Sequence, residues 1–166
     1  MKHTFRYCST HKADEAYMQQ MCSRGWAAER LVEGFWTFRE CEKGQYCFRV
    51  CYLRGKSKAE VEALKREYAA RGIQFVSRYS FWAIFRSPEP FCLYSPRQEL
   101  AICRQIYAPM PIGAGISWLL FLLGLLGSLF LSPWLWILTL AAGLYGAMCT
   151  WLGLSYRRLL RQLSAS

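Results

Sequence analysis

Apolar positions follow three rhythms along this chain: alternation, a helical repeat, and one long unbroken run. Residues 45–53 (QYCFRVCYL) are aromatic and branched, which predicts a strand. Ser57 and Glu60 form a capping box, Val61, Leu64 and Tyr68 recur at helical spacing, and Gly72 stands where that helix ends. Residues 73–78 (IQFVSR) and 81–86 (FWAIFR) predict two further short strands. The earlier part of the chain has the same plan. It reads as strand 3–8, helix 12–24 capped by Thr10 and ended by Gly25, and strands 26–32 and 35–40 joined at a Glu33-Gly34 hairpin signal.

A shift of 47 residues lays the two plans on each other: Arg24-Gly25 meets Arg71-Gly72, Phe38-Arg39 meets Phe85-Arg86, Thr10 meets Ser57, and Phe35 meets Trp82. Residues 3–40 and 45–86 are thus two βαββ copies within a domain of residues 1–90. Burying both helical stripes on one sheet predicts an α+β domain, ferredoxin-like or related, with a sheet, two helices and pseudo-twofold character. Rings occupy both faces of the strands, since Trp36 and Phe38 alternate with Phe35, and Phe81 and Phe85 with Trp82. Two helices on one side leave the other sheet face bare, so these six aromatics form the expected protein-binding surface. Two alternatives stand beside that reading: loops and the connector cover the face, or it is a groove for a small molecule. Arg39 and Arg86, at equivalent strand ends, either frame a shared site or are exposed termini.

Residues 105–156 contain no Lys, Arg, Asp or Glu, 52 residues in a chain with 32 charged side chains elsewhere. A bilayer span needs about 20 apolar residues, so the run predicts two transmembrane helices, 112–131 and 134–154, turning at Ser132-Pro133. Arg97 and Arg104 precede the hairpin, Arg157, Arg158 and Arg161 follow it, and the turn has no basic residue, which places both termini in the cytoplasm. Trp134 and Trp136 suit the interface beside the turn. Gly124 with Ser128, and Gly143 with Ala147, set small residues one turn apart, to pack the hairpin on itself or against another membrane protein or copy. Neither span carries an acidic or basic residue, which argues against a transporter. The connector, 91–111, opens a helix at Ser95-Pro96 with Leu100, Cys103, Ile106 and Tyr107 on one face, either lying on the bilayer or packing on the domain. Residues 155–166 form a basic cytoplasmic tail.

Net charge is +10, and the first 90 residues hold 16 basic and 10 acidic side chains. The basic residues are dispersed, suiting an anionic inner leaflet, and no nucleic-acid-binding module is present. The opening MKHTFRYCST lacks the apolar core of a signal peptide. Eight cysteines in a reducing cytoplasm read as small buried hydrophobes. No C-x-x-C occurs, and His3 and His11 complete no zinc pattern. Glu60, Glu62 and Glu67 fall on a solvated helix face, and no phosphate loop or nucleophile–base set is evident. A cysteine nucleophile with His3 or His11 as base is the one catalytic alternative. The expectation is no reaction, no metal and no cofactor.

Several elements now read together: the N-terminal Phe-Arg strand, Ser23-Arg24-Gly25-Trp26 at the end of the first helix, Gly34-Phe35-Trp36-Thr37-Phe38, Tyr46-x-x-Arg49-x-x-Tyr52-Leu53, and Phe81-Trp82-x-x-Phe85-Arg86. By these the chain resembles the bacterial membrane-protein family called domain of unknown function 2812, over residues 3–90. Its many cysteines and its sparsely acidic first helix depart from that family's usual pattern. The resemblance implies a membrane-anchored cytoplasmic domain and no known reaction. The expected role is a non-enzymatic accessory or regulatory subunit at the plasma membrane, binding a partner protein. The alternative is a homo-oligomeric sensor of a small molecule.

Overall fold

The computed structural model of the chain describes residues 1–6, 8–32, 34–130 and 135–165. The elements are β1 (Lys2–Phe5), α1 (His11–Cys22), β2 (Trp26–Val32), β3 (Phe35–Glu40), β4 (Cys47–Tyr52), α2 (Lys58–Ala70), β5 (Gln74–Tyr79), β6 (Trp82–Ser87), α3 (Pro96–Tyr107), α4 (Met110–Phe130) and α5 (Leu135–Ala165). They fall into two compact units, Met1–Ser95 and Pro96–Ser166.

The helix signals act locally. Thr10 Oγ1 accepts the Ala13 N–H at 3.2 Å and caps α1. At α2, Ser57 Oγ accepts the Glu60 N–H at 3.2 Å while Glu60 Oε2 accepts the Ser57 N–H at 2.7 Å. Hydrogen bonding to the carboxylate from the Ser57 hydroxyl, and then from the Ser57 backbone N–H, holds the Glu60 carboxyl below its ordinary range. Gly72, at φ +75°, turns the chain left-handed so that the Ile73 N–H reaches back to Tyr68 O at 3.0 Å.

The sequence expects one sheet carrying both helices on one face; the structure has two three-stranded antiparallel sheets, ordered β1-β3-β2 and β4-β6-β5. Joining them would require β2 to pair with β5. Each of these strands carries a bulge, between Ala28 and Arg30 and between Phe75 and Ser77. The extra residues, Glu29 and Val76, superimpose under the 47-residue shift. A bulge leaves its extra residue outside the ladder and bends the strand. Across the seam the Leu31 N–H donates to the Ser77 side-chain Oγ at 3.3 Å.

Strand alternation then feeds two cores. Phe48, Val50 and Ile84 point to one side, where they meet Tyr17, Met18, Met21 and Cys22 of α1 and Leu31, Trp36 and Phe38 of the first sheet. Cys51, Leu53, Ala83 and Phe85 point to the other, where Val61 and Tyr68 of α2 and the segment around Phe91, Leu93 and Tyr94 cover them. Sheet β4-β6-β5 is thus buried on both faces. Its β4 edge is closed by side chains: Glu15 Oε1 accepts the Val50 N–H at 2.9 Å, and the Tyr94 hydroxyl accepts the Tyr52 N–H at 2.7 Å.

In the second unit α4 and α5 are both long and apolar enough to cross a membrane. At 1.5 Å per residue, the 31 residues of α5 extend about 46 Å, well beyond a bilayer core of about 30 Å. The two helices pack through small residues. A Cβ on Gly124 would strike Thr139 Oγ1, and one on Gly143 would lie 2.8 Å from the Phe121 ring. Gly146 takes the third contact, beside Ser117, whereas Ala147 is exposed. The Ser128 side chain, the Ser132-Pro133 turn and Trp134 lie outside the described residues. The connector helix α3 belongs to this unit and packs against α5, with Cys103 and Tyr156 buried.

Candidate functional site

The six aromatics of the expected surface separate. Trp36, Phe38 and Phe85 are buried in the cores. Trp82 is half-buried between the rings of Tyr52, at 4.8 Å, and His11, at 5.2 Å. Phe35 and Phe81 face outward, 62% and 51% exposed. The reason is layer order: α1 lies between the sheets and α2 lies behind the second, so the helices do not share a face and three of the rings become core. Arg39 and Arg86 are each engaged locally, Arg39 with Glu29 and Arg86 with Gln74 Oε1 at 3.1 Å and the Tyr46 ring at 4.7 Å.

Apolar surface gathers instead on the outer face of β1-β3-β2. Register places Phe5 opposite Phe35 and Phe35 opposite Val32, one row across three strands. Phe5 is 65% exposed and Val32 45%. The Phe5 and Phe35 rings sit 4.9 Å apart. Gly34 permits this, since its φ is +87° and a Cβ there would come within 3.0 Å of the Phe5 ring. The next row on the same face is polar, with His3 opposite Thr37 and Thr37 opposite Arg30.

Beside these rows lies a groove of about 650 Å³, walled by His3, Arg30, Val32 and Thr37 on the sheet and by Val76 and Arg78 on β5. Both bulge residues, Glu29 and Val76, line it. Glu29 is paired with Arg39. Among the described residues no carboxylate pairs with Arg30 or Arg78. The groove is therefore a basic, hydrogen-bonding concavity that shares Val32 with the apolar row.

The half-buried thiols of Cys8 and Cys41 offer little nucleophilic chemistry. Burial, and then the Asp14 charge, push the Cys8 thiol up to about 12, so it stays protonated at neutral pH. Burial and the neighbouring Cys22, 4.0 Å away, push Cys41 up to about 11. Burial also raises the Asp14 carboxyl above its ordinary range, opposed by the Tyr79 hydroxyl donating to Oδ2 at 2.7 Å. Among the described residues no group of three or more His, Cys, Asp or Glu side chains is placed to hold a metal ion.

The sequence pattern did not single out Phe5, Val32, Arg30 or Arg78, and offered His3 only as a metal ligand or a base. The available signal was strand phase, because Phe5 shares the outward phase of Phe35 once β1 is known to pair with β3. The seam that adds Arg78 has no sequence signature. In comparisons with known proteins, residues 10–101 match the family described as protein of unknown function (DUF2812). Neither a curated protein nor a solved structure matches the chain.

Proposed function

Because the chain belongs to the DUF2812 family, whose description assigns no activity, we propose a role for it from geometry: a membrane-anchored, non-enzymatic binding module that serves as accessory or regulatory subunit of a partner protein. On this reading α4 and α5 cross the plasma membrane of a bacterial cell, and the arginines at 97, 104, 157, 158 and 161 keep both termini cytoplasmic. On the same reading the first unit, built of two related βαββ halves, presents the outer face of β1-β3-β2 to the partner.

The observation that carries the proposal is the Phe5–Phe35–Val32 row. Three large apolar side chains stay exposed side by side on a sheet whose inner face buries Leu31, Trp36 and Phe38. Such side chains each contribute about 1.5–3 kcal/mol when a partner covers them. The test is Phe5→Ser with Phe35→Ser in the full-length protein, crosslinked in its own host and purified in mild detergent, with mass spectrometry of co-purified protein. Loss of a specific partner with membrane insertion intact is the expected result. Recovery of that partner at the wild-type level overturns the proposal. Trp36→Ala is not a usable probe, because emptying that core position costs about 3–5 kcal/mol by itself.

The groove favours one second reading, a homo-oligomeric sensor of a small molecule, since its volume of about 650 Å³ suits such a ligand. Recovery of the protein as a defined oligomer with no second protein points there.

A further inference from the structure

We propose that the groove between β2 and β5 binds an acidic segment of the partner protein, its carboxylates seated on Arg30 and Arg78 and an adjoining apolar side chain on the Phe5–Phe35–Val32 row. This rests on the partner-binding reading above and names the chemistry of the partner.

Three observations carry it. First, the charge is unbalanced. The groove wall holds Arg30 and Arg78, while the one carboxylate among its described lining residues, Glu29, is engaged with Arg39. Guanidinium groups recognise carboxylates through paired, directional donors, and the Thr37 hydroxyl adds a further hydrogen-bonding group beside them. Second, the two bulges give the groove its basic walls. In β2 the bulge frees Glu29 from the ladder, so that Glu29 and Arg30 both line the groove; in β5 it precedes Ser77 and Arg78. Bulges re-aim side chains in this manner beside binding sites. Third, Val32 belongs to the groove and to the apolar row, so one extended segment reaches both. The site is concave, with a volume of about 650 Å³. A chain segment fills a concavity, whereas a lipid surface is flat and spans it.

The experiment uses full-length protein in neutral detergent micelles and fluorescein-labelled synthetic peptides of alternating Glu and Phe, Gln and Phe, or Lys and Phe, read by fluorescence anisotropy at fixed ionic strength. The Glu–Phe peptide is expected to bind at least about tenfold more tightly than the Gln–Phe peptide. Replacing Arg30→Gln and Arg78→Gln together should remove that preference and flatten its salt dependence. Both arginines are exposed, and a Lys65→Gln control on α2 keeps a general loss of positive charge from passing as a result.

Equal binding of the Glu–Phe and Gln–Phe peptides overturns the inference. So does a preference that survives both arginine substitutions, or one abolished equally by Lys65→Gln. Binding of the double-arginine variant to anionic phospholipid vesicles, weakened in step with a wild-type protein that ignores all peptides, assigns the groove to lipid and also overturns it. The two proposals fail separately. If Phe5→Ser with Phe35→Ser loses the host partner while the arginine variant keeps it, the partner-binding reading stands and the acidic segment falls.

Discussion

Glu15 ties the first half of the Met1–Ser95 unit to the second half through a buried hydrogen bond. The residue is 8% exposed, on the face of α1 that lies against β4. Its Oε1 accepts the Val50 N–H at 2.9 Å, and its Oε2 pairs with Lys12 at 3.3 Å. β4 is an edge strand of β4-β6-β5, so the Val50 amide has no ladder partner on that side. Glu15→Ala leaves that amide buried without an acceptor. The lost charge-assisted bond and the stranded donor each have a scale of about 1–3 kcal/mol, and because they overlap we expect a net loss of about 3 kcal/mol. Glu15→Gln keeps a carbonyl at the same place and forfeits only the charge, about 1 kcal/mol. The Lys12 pair contributes little, about 0.2–1 kcal/mol, because that ammonium is partly exposed. Hydrogen exchange by mass spectrometry on peptides covering residues 47–53, in the full-length protein in detergent, reads the edge directly. A loss of 3 kcal/mol corresponds to about a hundredfold faster exchange there for Glu15→Ala, with less than about tenfold for Glu15→Gln. Equal acceleration by the two substitutions, or an equal effect of Lys12→Ala, would refute the reasoning.

Asp14 supplies a pH dependence. Burial raises its folded-state pKa above the ordinary 3.8, so its contribution to stability is full below that value and is lost as pH rises through the folded pKa. Asp14→Asn, which keeps an acceptor for the Tyr79 hydroxyl, should match the wild type below 3.8 and exceed it in thermal stability near neutrality; parallel melting curves across that range would contradict this. In the hairpin, Gly124→Ala should lower the melting temperature in detergent, since its methyl group must displace Thr139, at a cost of about 1–3 kcal/mol. Gly115→Ala, with open space around it, is the control and should leave melting unchanged or slightly raised; an equal drop for both would show that Gly124 is not a packing contact.

The features legible in the sequence alone are those set by neighbours along the chain. Thr10 and Ser57 cap helices where their spacing said they would, Gly72 ends one by adopting a positive φ, and the charge-free run folds as two long apolar helices. These follow from local hydrogen bonding, backbone sterics and hydropathy, each confined to a few turns of chain. Residues 45–53, aromatic and branched, were equally legible as a strand, and its two faces carry Phe48 and Val50 into one core and Cys51 and Leu53 into the other.

What covered those faces was decided only by tertiary structure. Helix α1 could bury its stripe on one sheet or between two, and nothing in its own sequence separates these outcomes. The bulges at Glu29 and Val76 lie in the β2–β3 and β5–β6 ladders, and at the seam between β2 and β5 the Leu31 N–H meets the Ser77 side chain rather than a backbone carbonyl. Trp36, Phe38 and Phe85 thereby passed from expected surface to core. The exposed row and the basic groove arose where the fold brings distant positions together, Phe5 opposite Phe35, and Arg30 and Arg78 on the walls of one groove. A strand's phase fixes which residues share a face. Which face meets solvent depends on what else the chain packs against it.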